Sequence, residues 1–96
     1  MASANDIIAM QNVLRTKIKS VYSNFLSTPV ENEIRGMAQS QLQRLEEYFN
    51  TFYSHHELIL KTKGVDISHA YFTSTFLANT EDYYYSNKGH FNDLLL

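Results

Sequence analysis

The sequence predicts an all-α fold, a three-helix antiparallel bundle or coiled-coil hairpin organised on a long central helix. Three observations lead there. Apolar residues recur at three- and four-residue spacing along three segments. Backbone breakers are scarce, with one Pro and three Gly in 96 residues. Both expected turns, around Ser27-Thr28-Pro29 and Gly64-Val65-Asp66, carry residues that end one helix and open the next. The helices are expected over about 5–27, 29–63 and 66–88 or to the C-terminus, in one domain spanning 1–96.

Helix one opens at Asn5, a good N-cap residue, and repeats Ile7, Leu14, Ile18, Val21 and Phe25 on one face. Gln11 is the polar exception in that series. Met10, Val13 and Tyr22 widen the stripe, while Arg15, Lys17, Lys19 and Asn24 lie largely off it. Pro29 disfavours helical geometry in the residue before it, so this helix ends near Ser27. So short a link makes the first two helices antiparallel neighbours.

Helix two begins on Thr28-Pro29-Val30-Glu31, where a Thr hydroxyl, a Pro at the first helical position and a back-reaching Glu form a start signal. Lys61, Lys63 and Gly64 suit its C-terminal end. About 35 positions lie between, roughly 50 Å of rod at 1.5 Å per residue. Its first half is sparse in large apolar groups, with Ile34, Met37 and Leu42; its second half is dense. Two adjoining stripes run there, through Leu45, Tyr48, Phe52 and Ile59 and through Leu42, Phe49, His56 and Leu60. A face that broad can cover two partner helices.

Helix three starts at Asp66 as N-cap, with Ile67, Ala70, Tyr71, Leu77, Tyr84, Phe91 and Leu95 on its main stripe. The predicted core is therefore Leu14, Ile18, Val21 and Phe25, Leu45, Phe49, Phe52 and Ile59, and Tyr71, Leu77 and Tyr84. Phe72, Phe76 and Tyr83 stand off that stripe and read as a second face. With Ile34 and Met37 of helix two they form the predicted interface with a second subunit, since small monomers rarely leave so much aromatic area in water. The closing Leu94-Leu95-Leu96, uncapped, reads as a cut through a longer polypeptide.

Composition narrows the function classes. The chain lacks Cys, which removes disulfides and thiolate metal sites, and it has neither a signal segment nor an apolar run near membrane-spanning length. A soluble, intracellular protein, cytoplasmic or nuclear, is expected. The net charge of −2 argues against a nucleic-acid-binding domain. Charge is nonetheless uneven. Arg15, Lys17 and Lys19 against Asp6 leave residues 1–28 at +2, and Lys88 against Asp66, Glu81, Asp82 and Asp93 leaves residues 65–96 at −3. Segments of opposite sign attract, within a monomer or between protomers.

Candidate chemistry is thin. His55-His56-Glu57 lacks the second His of a zincin helix, since Leu60 stands where that residue belongs. His56 or His55 with His69 is a conceivable metal pair, but a boundary histidine is the plainer reading, and no metal or other cofactor is expected. Glu46, Glu47 and Glu57 read as solvated helix faces, with Glu57 and Lys61 an i,i+4 pair. Neither a nucleophile elbow nor a Gly-rich phosphate loop is present, so no enzyme is expected. Glu81-Asp82-Tyr83-Tyr84-Tyr85 is a generic phosphorylation pattern and a better helix filler.

The segments LRTKIKSVYSNFL, LQRLEEYFNTFYSHHELI and AYFTSTFLANTEDYYYSNKGHFNDLL, in that order, resemble the N-terminal helical region of Gag polyproteins from BEL/Pao-type and related insect LTR retrotransposons. The resemblance runs from about Leu14 to Leu96 and rests on helical periodicity; charges are fewer on helix two, and helix three is Phe-rich where the family usually shows Glu. It implies a structural, self-associating segment upstream of a capsid-like part, in an active element or a domesticated derivative. Such a segment acts in particle assembly or partner docking, and no functional residue transfers beyond the apolar stripes. The expected partner is a second copy, a dimer in the first instance, or another protein. Two alternatives come from other classes: a host regulatory adaptor binding an amphipathic helix, and a nucleic-acid or membrane-surface module using Arg15, Lys17 and Lys19.

Overall fold

The computed structural model describes residues 3–27, 34–62, 70–73 and 75–96. These form α1 (Ala4–Ser27), α2 (Ile34–Lys61), a single turn α3 (Ala70–Thr73) and α4 (Phe76–Leu95). Among the described residues there is no strand. The expected caps at Thr28, Gly64 and Asp66 lie outside them.

The start of α1 is set by Ser3 and not by Asn5. The Asp6 amide donates to Ser3 Oγ and the Ser3 amide to Asp6 Oδ2, each at 3.2 Å. This is a capping box with Asp in the usual Glu position, which satisfies two amide donors reciprocally. Further along α1, Thr16, Ser20, Ser23 and Ser27 turn their hydroxyls back onto carbonyls three or four residues earlier, so their polar groups are satisfied without a partner helix.

As expected of a rod, α2 is unbroken over its 28 residues, about 42 Å at 1.5 Å per residue, in a molecule 51 Å long. Ala38, Leu45, Phe49, Phe52 and Ile59 are buried on it, and that face meets both α1 and α4. Leu60, read from the sequence as part of the second stripe, is exposed.

The three long helices run up, down and up. Pairings fix the directions. Tyr22 and Phe25 of α1 pack on Phe91 while Arg15 meets Phe76 and Tyr83, which makes α1 and α4 parallel. Phe49 stacks on Tyr84 with centroids 3.8 Å apart, and Phe52 packs on Phe76, which makes α2 antiparallel to α4. The core is thus a ladder of aromatic rungs between α4 and the α1–α2 hairpin. Aromatic burial of this kind dominates core energetics, with roughly 0.5–1.5 kcal/mol per ring pair beyond the area term.

Helix three departs from the expectation of one continuous element. It is broken between α3 and α4, with Thr75 at φ −80°, ψ 34° and no side-chain cap bond. Thr75 is of a residue type whose hydroxyl competes with the helical backbone. The break also serves packing. Five residues apart, Tyr71 and Phe76 would face about 140° away from each other on one helix. Across the break their rings lie 5.0 Å apart, and both are buried. Downstream, α4 passes through Gly89 without interruption to Leu95.

The buried stripe of α4 is Phe76, Thr80, Tyr84, Asn87 and Phe91. The expected interface face is therefore corrected. Phe76 is only 8% exposed, between Phe52, Tyr71 and the Arg15 guanidinium, and Phe72 and Tyr83 are half-buried against the same core. Two polar residues disguised this stripe: Thr80 is satisfied by the Phe76 carbonyl at 2.8 Å, and Asn87 by α1. Of the predicted core, Ile18, Val21, Phe25, Leu45, Phe49, Phe52, Ile59, Tyr71 and Tyr84 are buried; Leu14 and Leu77 sit half-buried at its edge. Ile7, Ile8, Ala38, Phe76 and Phe91 complete it.

Candidate functional site

Two arrangements go beyond simple packing, one internal and one at the surface. The internal one grows from Gln11, the polar member of the α1 stripe, which is fully buried. Its Nε2 donates to the Phe52 carbonyl at 2.8 Å and to the Tyr71 hydroxyl at 3.2 Å, and its Oε1 lies 3.2 Å from His55 Nδ1. Tyr71 Oη in turn lies 2.6 Å from His56 Nδ1. Polarity then assigns one of the protons. Gln11 Oε1 can only accept, so His55 Nδ1 carries a hydrogen; between Tyr71 Oη and His56 Nδ1 the imidazole tautomer sets which group donates. Burial pushes His56 below its ordinary value and Tyr71 above its own. The network ties α1, α2 and the α3 turn together. His69, the other candidate metal ligand, lies outside the described residues, among which no group of three or more His, Cys, Asp or Glu is placed to hold a metal ion.

Polar ties also join α4 to its neighbours. Tyr53 donates to Glu81 Oε2 at 2.6 Å, and that hydrogen bond, with burial, pushes the phenol up to about 12. Lys88 reaches Glu46 at 3.7 Å and the Tyr84 hydroxyl at 3.4 Å, the latter raising its ammonium above the ordinary value. The expected Glu57–Lys61 pair does not form; the ion pair found among the described residues is Lys88–Glu46. Asn87 accepts from the Tyr22 amide at 2.8 Å and donates to the Lys19 carbonyl at 3.4 Å, taking hold of the α1 backbone directly.

The basic residues of α1 are not a free patch. The Arg15 guanidinium lies 5.1 Å from the Phe76 ring centroid and 5.6 Å from that of Tyr83, and Lys19 lies 5.3 Å from Tyr83. Arg15 and Lys19 thus meet the C-terminal segment through neutral ring faces, cation–π contacts worth roughly 0.5–2 kcal/mol each, and among the described residues neither forms an ion pair with its carboxylates.

The surface arrangement is a groove of about 260 Å³ between α1 and α2, lined by no residue of α4. Successive turns of α1 bring Lys17, Val21 and Phe25 to it, and α2, running the other way, brings Tyr48, Arg44, Gln41 and Met37. One end is cationic, with the Lys17 ammonium 5.5 Å from the Tyr48 ring centroid and Arg44 beside it. Phe25 and Met37 make the other end apolar. No carboxylate lines the groove, and neither Lys17 nor Arg44 belongs to an ion pair among the described residues. Met10 (45% exposed) and Val13 (54%) continue the same side of α1, and Ile34 (50%) lies one turn before Met37.

Of the predicted interface, then, Met37 lines a groove and Ile34 lies near it, while Phe76 is buried in the chain's own core and Phe72 and Tyr83 are half-buried against it. Arg44 and Gln41 went unnoticed in the sequence. Their signal was the spacing Met37-Gln41-Arg44-Tyr48, a helical stripe in the half of α2 that is sparse in large apolar residues. Comparison with family models, with curated proteins and with solved structures finds no match.

Proposed function

We propose that this chain is a non-enzymatic helical interaction module whose docking surface is the α1–α2 groove. The observation that carries the reading is the composition of that groove: an apolar end at Phe25 and Met37, a cationic end at Lys17 and Arg44, and no carboxylate among its lining. A site so built takes a polypeptide that brings both apolar side chains and carboxylates, and helix-in-groove docking uses this geometry. Oligomerisation or partner docking is also what the resemblance to Gag helical regions implies, a structural segment acting in particle assembly.

The test is a titration with a designed acidic amphipathic peptide, Leu on one face and Glu along its border, followed by amide and methyl NMR. Resonances of Val21, Phe25, Met37 and Arg44 are expected to shift together, and Lys17→Glu/Arg44→Glu is expected to abolish the effect. Groove resonances that stay fixed through the titration and through a hundredfold change in protein concentration would refute the reading.

A further inference from the structure

We propose that the occupant of the groove is the outer face of α4 in a second copy of this chain, docked head to tail; the proposal rests on the groove being a docking surface. The outer face of α4 carries Asp82, Tyr85, Ser86, Gly89, Asp93 and, just past the helix, Leu96, all exposed. Asp82 and Asp93 take part in no ion pair among the described residues. At Gly89 a Cβ would meet nothing within 4 Å, so its own chain has no packing use for the missing side chain. Glycine in a helix interior costs about 1 kcal/mol relative to Ala, and close approach by another body is the recurring use for it.

Register supports the match. From Lys17 to Phe25 is eight residues, about 12 Å along α1 at 1.5 Å per residue, and from Asp93 back to Tyr85 is the same. With Asp93 at the Lys17/Arg44 end, Tyr85 falls at the Phe25/Met37 end. Gly89 then falls midway, over Val21 and Gln41, where a side chain would hold the helices apart. Leu96 lies beyond Asp93, towards Val13 and its exposed apolar surface. A helix in this register runs antiparallel to α1. Charge agrees, because a symmetric contact of groove on groove supplies no carboxylate for Lys17 and Arg44, whereas α4 does.

Groove and ridge are different surfaces of one molecule, so the contact is heterologous. Each copy can receive one neighbour and enter another, and growth is open unless a ring closes. The test is sedimentation of the whole chain over a range of concentrations, with two variants: Lys17→Glu/Arg44→Glu in the groove and Gly89→Arg/Asp93→Arg on the ridge. Wild type is expected to grow past a dimer as concentration rises. Each variant alone is expected to stay monomeric, with self-association weakened more than tenfold, and the two mixed are expected to form a one-to-one heterodimer that grows no further. That last result also shows that both variants fold, because a misfolded chain would not complement. A wild type that is monomeric throughout, one that stops at a symmetric dimer, or variants that fail to complement would overturn the head-to-tail contact. The acidic-peptide titration then shows whether the groove still docks a partner or the docking reading falls as well.

Discussion

Gln11→Ala tests the core most sharply, because that carboxamide is fully buried and bonded to three groups on two other elements. The losses can be worked through one by one. The Phe52 carbonyl sits inside α2, where the helix ladder also serves it, and half-buried His55 can turn to water, so neither is stranded. Tyr71 loses a donor at a buried site. Together the bonds amount to about 1–2 kcal/mol net. The void left by four missing heavy atoms adds about 1–2 kcal/mol more. The expected loss is therefore about 2–4 kcal/mol, read as the shift in urea midpoint at constant slope by circular dichroism. For a domain of this size that lowers the thermal midpoint by on the order of 15 °C. Gln11→Leu refills the volume and is expected to cost less than about 1.5 kcal/mol, because only the bonds are lost. An Ala variant within about 0.5 kcal/mol of wild type, or a Leu variant worse than Ala, would show that Gln11 does not stand at the junction of α1, α2 and α3.

Other outcomes follow from the same structure. His56 is held below its ordinary value by burial, so the unfolded chain takes up the proton first; stability is complete above about pH 6.5 and is lost as pH falls towards the folded value. Subtracting the pH–stability curve of His56→Gln from that of wild type should leave this acid limb. Tyr53 has the opposite sign: raised to about 12, it contributes stability in full below pH 10 that disappears as pH climbs through the folded value. In an alkaline absorbance titration one late-ionising tyrosine should be missing from Tyr53→Phe. Gly89→Ala should raise unfolding stability by about 0.5–1 kcal/mol, since the site is exposed, helical and open around the added methyl. A loss of stability there would mean that the space beside Gly89 is filled within the monomer.

Much of the fold was legible because α1 and α2 obey a simple rule: their apolar residues keep a helical period, and Pro29 stands at the boundary. The third segment defeated that rule for an identifiable reason. Its buried stripe contains Thr80 and Asn87, whose polarity is cancelled by partners that a period cannot reveal. Phe76 consequently looked like surface. The non-helical backbone at Thr75 was not signalled by the period, and what it achieves, bringing Tyr71 and Phe76 to one side, depends on tertiary packing. The groove was half legible. Met37 and Ile34 stood out as apolar residues with nothing beside them, whereas Lys17 and Arg44 come together only when two antiparallel helices set them level.

The grip of Asn87 on α1 bears on how the bundle chooses a single alignment. Phe and Tyr rungs resemble one another, so a helix built from them could slide by one turn, about 5.4 Å, and still find rings to lie against. Dispersion forces alone discriminate poorly between such offsets. The carboxamide Nδ2 is anchored on its own helix by the Tyr83 carbonyl at 2.7 Å, which aims Oδ1 at the Tyr22 amide of α1, and a slide of one turn breaks that 2.8 Å bond in a dry environment. One polar side chain thus turns an ambiguous stack of rings into a defined vernier, as a lone buried Asn does in coiled coils.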